Sequence, residues 1–175
     1  MEDVSIVSIL HQAIDLIQPI ANGAGIKINF DMEGCEGVHV EADRQRLLQV
    51  FINLLSNAIK YNCEGGSILI RCLGIADGTI RVGVTDTGCG ISEKDQESLF
   101  LPFQRFGDQG IEGTGLGLAL SERFVRLMGG TLGLFESSSE GSTFYVELHR
   151  MEAKAAKQAA PHIETLSASL MSRQG

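Results

Sequence analysis

Residues 43–61, within ADRQRLLQVFINLLSNAIKYN, constrain the chain more than any other stretch. The apolar residues Leu47, Leu48, Val50, Phe51, Ile52, Leu54, Leu55, Ala58 and Ile59 cover most of a helical cylinder, so the spacing predicts a buried helix. At roughly 100° per residue, Arg46, Gln49, Asn53, Asn57 and Lys60 nevertheless fall in one narrow sector. Asn53 and Asn57 stand one turn apart, and Lys60 follows on the same side. Such a stripe is either a solvated edge on a buried helix or a place for a metal ion and a polyanion. Two carboxamides and an ammonium suit the second.

Composition narrows the partners. A chain of 175 residues with 43% hydrophobic content is enough for one domain with a sizeable core. Its formal charge of −8 argues against nucleic acid or an anionic membrane as partner. No apolar run reaches transmembrane length, and no signal-peptide pattern opens the chain. Cys35, Cys63, Cys72 and Cys89 have no metal-ligand or paired spacing, so reduced thiols in a cytoplasmic protein are expected. His11, His39, His149 and His162 are equally scattered, which leaves neither a zinc site nor a Cys–His pair.

In chain order, residues 3–22 carry helical apolar spacing, with His11 a partly exposed helix residue. Strands are expected at 26–30 and 38–41, and Asp43 is a plausible N-cap for the asparagine helix. Residues 67–73 and 79–85 read as a strand pair turned at Ala76-Asp77-Gly78. Val82, Val84 and Asp86 share a face of the second strand, so Asp86 points inward with the valines. A buried carboxylate needs good donors. It is either a strand-terminal Asp in a glycine turn, or an acceptor for a heterocycle's amino group, with Gly88 and Gly90 admitting close backbone approach.

Ser92-Glu93-Lys94-Asp95 reads as a capping sequence for a short helix. Residues 107–117 hold five glycines and run into a helix at 116–128, whose N-terminus offers N–H donors and positive dipole to phosphate. Strands follow at 131–136 and 142–150. From 151 the chain turns Ala/Lys-rich, then small and polar, which suggests a linker or tail over 151–175 after a domain of 1–150.

Four blocks therefore stand in order: NLLSNAIKYN (53–62), DTGCG (86–90), LFLPFQRF (99–106) and GTGLGLALS (113–121). Together they resemble the N, G1, F and G2 boxes of the catalytic ATP-binding domain of sensor histidine kinases, members of the GHKL ATPases. The resemblance covers about residues 1–150. It implies a two-layer α/β sandwich, a mixed, mostly antiparallel sheet against helices, with ATP held under a glycine-rich lid.

By that resemblance Asn57 is a Mg²⁺ ligand and Asn53 lies close to the metal and phosphates. Lys60 reaches a phosphate, Tyr61 flanks the adenine, and Asp86 accepts the adenine amino group. Ser142 matches a small hydroxyl residue near the base, and Arg105 a basic position handling the terminal phosphate. Gly113, Gly115 and Gly117 form the end of the lid. Gly88, Gly90 and Ile91 around the second block, with Thr114 and Leu116 in the fourth, complete the nucleotide-binding set. Asn53, Lys60 and Arg105 are the catalytic candidates.

The implied activity is transfer of the ATP γ-phosphoryl group to a histidine on a dimerisation domain, with a response regulator receiver downstream. No acceptor box is legible here: Gln12 follows His11, and no proline comes before Pro19. The chain thus reads as a module of a longer kinase. Hydrolytic relatives place a general-base glutamate where Asn53 stands, and Asn53 cannot take a proton from water. An anti-sigma-type serine kinase and a nucleotide-binding regulator share the boxes and stay as alternatives.

Overall fold

The computed structural model describes residues 1–74, 78–104 and 114–151. The elements are β1 (Glu2–Ser5), α1 (Ile6–Gly23), β2 (Lys27–Asp31), β3 (His39–Ala42), α2 (Arg44–Lys60), β4 (Ser67–Gly74), β5 (Thr79–Asp86), α3 (Glu93–Gln96), α4 (Gly117–Leu127), β6 (Thr131–Ser138) and β7 (Gly141–His149). Five strands form one sheet in the order β2-β4-β5-β7-β6, and β1 pairs with β3 separately. Among the described residues only the β2–β4 pair is parallel. Helices α1, α2 and α4 form the second layer, with α2 packed between the other two. The expected two-layer α/β sandwich is what the chain adopts.

Local chemistry explains where α2 begins. Asp43 holds an extended backbone and its carboxylate accepts the N–H of Arg46 at 3.0 Å, closing one of the helix's open donors. The helix then buries Leu47, Val50, Phe51, Leu54, Leu55, Ala58 and Ile59. Facing them are the inward residues of two strands, Ile68, Ile70 and Cys72 on β4 and Ile80, Val82 and Val84 on β5. Ser92 caps α3 as expected: its hydroxyl accepts the N–H of Asp95 and donates to the Asp95 carboxylate at 2.7 Å.

Two expectations are corrected. The first helix does not start at residue 3, because residues 2–5 pair in register with β3 (Glu2 with Ala42, Ser5 with His39). That pairing spans nearly forty residues, so helical spacing of Val4 and Ile6 could not betray it. Ser5 then caps α1 by accepting the N–H of Ser8. The second concerns cysteines: Cys35 and Cys72 form a buried disulfide with Cα atoms 5.3 Å apart, rather than two thiols. Their separation of 37 residues is no spacing motif; the β2–β3 connection brings Cys35 over β4. Cys63 and Cys89 are free. The expected tail lies outside the described residues apart from Met151, whose N–H donates to His39. Among the described residues no helix is long and apolar enough to cross a membrane.

Phe51, wholly buried where α2 meets the sheet, is the largest fully enclosed side chain among the described residues. Phe51→Ala is expected to cost about 3–5 kcal/mol, read as a lower urea midpoint at unchanged slope.

Candidate functional site

A cavity of about 320 Å³ opens between α2, the end of β5, the start of α4 and β7. That is at the lower end of the usual range for small-molecule pockets. From α2 it receives Asn53, Asn57 and Lys60 of the polar stripe, then Tyr61 at the C-cap. Arg46 and Gln49, on the same sector, do not line it. Arg46 pairs with Asp43 at 3.4 Å and lies 5.4 Å from the Phe124 ring centroid, and Gln49 is exposed. The stripe thus divides in two. Its C-terminal half faces the cavity and its N-terminal half faces α4 and solvent.

Asp86 closes β5 with its side chain on the inward face, as strand parity predicts, and is only 7% exposed. One carboxylate oxygen accepts the N–H of Gly88 at 2.8 Å and the N–H of Ser142 at 3.3 Å. Burial pushes the carboxyl above its ordinary value, and the Gly88 and Ser142 hydrogen bonds work against that rise. Gly88 itself does not line the cavity. It packs so tightly on the Tyr61 carbonyl that a Cβ there would collide, which joins the end of α2 to the turn after β5. Gly90 (φ +71°) faces the backbone of Ser138 in the same way, and with Ile91 it does line the cavity.

The opposite end is built by α4. Gly117 lies directly against the Asn53 carboxamide, leaving no room for a Cβ. Asn53 Nδ2 donates to Ser121 Oγ at 3.0 Å, so the carboxamide is held by its nitrogen and its oxygen turns toward Gly117. Among the described residues no side chain caps α4, whose first-turn N–H groups and positive dipole end stand beside this wall. Thr114 and Gly115 line the cavity while Leu116 does not. Phe103 N–H donates to the Gly115 carbonyl at 2.9 Å, stitching the aromatic segment to the loop's end. The Lys60 ammonium lies 5.1 Å from the Tyr61 ring centroid. Ser142 lines the base of the cavity and is buried. Arg105 and Gly113 lie outside the described residues.

Sequence reasoning did not single out Ser56, Cys89, Gln104, Leu118 and Phe144, which also line the cavity, nor Ser121 and Ser137, which hold its walls. Ser121 carried a signal, as the hydroxyl on an otherwise apolar turn of its helix. Ser137 carried none, since it stands in a run of three serines. Among the described residues no three His, Cys, Asp or Glu side chains cluster as a metal site. Any cation here would rest on carboxamide oxygens and on its ligand's own oxygens.

The arrangement is a polar cleft with a buried acceptor at one end, carboxamides and a helix N-terminus at the other, and an ammonium beside the Tyr61 ring. Its chemistry suits an elongated molecule with a donor at its apolar end and negative charge at the other. Because the native carboxyl of Asp86 binds its proton more tightly than the unfolded one, folding loses stability as pH rises from the ordinary carboxylate range through the raised value. Asp86→Asn removes that loss. In the nucleotide-free chain it is expected to melt above the wild type at neutral pH, the gap closing toward acid, in thermal scans across pH.

Residues 42–152 match the family described as histidine kinase-, DNA gyrase B-, and HSP90-like ATPase. The virulence sensor protein BvgS of Bordetella bronchiseptica is 38% identical over 158 residues, 85% of this chain but only 12% of that protein's length. Among solved structures, the catalytic domain of histidine kinase ThkA shares 30% identity and superposes with a TM-score of 0.74 over 86% of this chain and 97% of that one. Full-length ShkA in complex with AMPPNP gives a TM-score of 0.75 at 30% identity, over 87% of this chain and 31% of that one. The chain therefore belongs to the histidine kinase-, DNA gyrase B- and HSP90-like ATPase family, as an ATP-binding catalytic module of the sensor histidine kinase kind.

Proposed function

We propose that this chain binds ATP with Mg²⁺ in the cleft and passes the γ-phosphoryl group to a histidine imidazole on a dimerisation domain, in cis or in trans within a parent kinase dimer. A receiver domain of a response regulator would take the phosphoryl group next, in the cytoplasm. The observation that carries this reading is the polarity of the cleft: Asp86 buried at one end, Asn53, Asn57 and the α4 N-terminus at the other.

In this reading Asp86 accepts the adenine amino group, Tyr61 flanks the ring, and Ser142, Gly90 and Ile91 shape the base end. Gly88 supplies the N–H that orients the Asp86 carboxylate. At the phosphate end Thr114, Gly115, Leu116 and Gly117 bring backbone N–H groups and the helix dipole to the anion, and Lys60 adds its charge. Arg105 and Gly113 join them by resemblance alone. The donor set suits Mg²⁺, a hard cation that takes oxygen ligands and shares them with substrate phosphates. Asn57 would hold it, with Asn53 beside it, and the ion would neutralise phosphate charge.

Phosphoryl transfer asks mainly for positioning and charge stabilisation. The chain supplies those; the nucleophile comes from the acceptor domain. Hydrolysis has no support, because Asp86 is the only carboxylate among the described residues lining the cleft and it sits at the base end. Asn53, already donating to Ser121, is no proton acceptor.

Asn57→Ala is expected to weaken ATP binding strongly when Mg²⁺ is present and little when it is chelated. Calorimetry in both conditions measures this, and an equal loss in both would assign Asn57 a structural part only. The chain alone is expected to bind ATP without autophosphorylation. A histidine-bearing hairpin added in trans should take up label from γ-labelled ATP slowly, since tethering normally raises the effective concentration. That label should be lost in acid, and Arg105→Ala should slow its transfer more than it weakens ATP binding. Acid-stable label would indicate serine transfer, and label on this chain alone would mean an acceptor within it.

A further inference from the structure

At the mouth of the β6–β7 hairpin two serines face each other across the ladder. Ser137, near the end of β6, pairs in register with Ser142 of β7, and their hydroxyl oxygens are 2.8 Å apart. Ser142 lines the cleft, while Ser137 stands behind it. Ser137 Oγ also accepts the backbone N–H of Ile91 at 2.8 Å, so it ties the turn after β5 to the hairpin. Ser142 in turn gives its own backbone N–H to Asp86.

Either hydroxyl can donate in this bond, and the two directions leave the serines with different partners. If Ser142 donated to Ser137, the Ser137 proton would be left with the Gly141 carbonyl at 3.5 Å, the limit of a hydrogen bond. If Ser137 donates to Ser142, that proton sits in the 2.8 Å bond instead. The Ser142 hydroxyl is then free to donate into the cleft. Beside it stands Asp86, which can only accept while ionised.

We propose that Ser137 is a positioning residue for base recognition: it sets Ser142 as a donor next to the Asp86 acceptor, so that the pair reads an amino group adjacent to an unprotonated ring nitrogen. Resting on the adenine reading of the cleft, this adds the contact that selects N1. Adenine offers a donor at its amino group and an acceptor at N1. The corresponding edge of guanine or hypoxanthine offers the reverse at both positions, and would meet two mismatched groups. Ser137 touches no nucleotide atom, and its effect passes through Ser142.

The test compares ATP with 1-deaza-ATP, in which N1 is replaced by C–H, by calorimetry on the full 175-residue chain. The wild type is expected to bind the analogue roughly three- to tenfold more weakly, the worth of one neutral hydrogen bond. Ser137→Ala should lower ATP affinity toward that of the analogue and leave the analogue's affinity unchanged, and Ser137→Thr should restore the preference. Ser142→Ala should erase the same preference with Ser137 intact, which covers the case in which Ser137→Ala folds poorly. Equal losses for both nucleotides in Ser137→Ala would mean that Ser137 only braces the turn, and overturn the inference. So would a wild type that does not distinguish the two nucleotides. Asp86→Asn separates the underlying reading: if it leaves ATP affinity intact, the base pocket itself is misassigned.

Discussion

A carboxylate kept out of water at the end of a central strand governs this structure. Asp86 sits on the inward face of β5, behind Ile80, Val82 and Val84, and β5 has β4 on one side and β7 on the other. The desolvation it suffers is offset only where donors are fixed in advance. Gly88 and Ser142 provide them from the turn that follows and from the neighbouring strand. Both donors demand close backbone packing, which explains why the surrounding glycines lie against carbonyls: Gly88 on Tyr61, Gly90 on Ser138, Gly141 on Asp86 itself. The loops of the cleft thus owe their course to one side chain.

The second dependency runs through α2. Its apolar faces fill the space over β4 and β5, and its remaining sector touches α4 as well as the cleft. Arg46 over Phe124 and Asn53 with Ser121 are two points at which α2 holds α4. In the proposed reading the N-terminus of α4 would face an anion, and the helix must be anchored to keep that position. Here the anchor and the cleft share the Asn53 carboxamide, so packing of the helix pair and shape of the charged end cannot vary separately.

Local pattern made α2, the inward parity of Asp86, the Ser92 cap and most strands readable, because each is set by periods of a few residues. Long-range pairing was not readable. Strand β1 is held by β3, and Val4 alone fits a helix as well as a strand. Cys35 meets Cys72 only because the β2–β3 connection crosses β4. The polar stripe was seen as one feature, yet geometry splits it, since Arg46 and Gln49 lie too far toward the N-terminus to reach the cleft. Ser137, behind the cleft, was invisible for a related reason. In a run of three serines a wall-bracing hydroxyl has no signature of its own, and only the partner across the ladder distinguishes it from any surface serine.

Tyr61, at the C-cap of α2, follows Asn53 by eight positions, an axial span of about 12 Å. Because both residues stand on one rigid rod, that span is a fixed ruler laid along whatever the cleft holds. In the proposed reading a nucleotide would be gauged at both marks at once: its ring beside the C-terminal mark, its far charges beside the other. A shortened molecule keeps the ring's contacts and forfeits those at the far mark. In that reading, discrimination between a full-length nucleotide and its truncated product resides at the Asn53 end of the rod, and the ring end contributes alike to both.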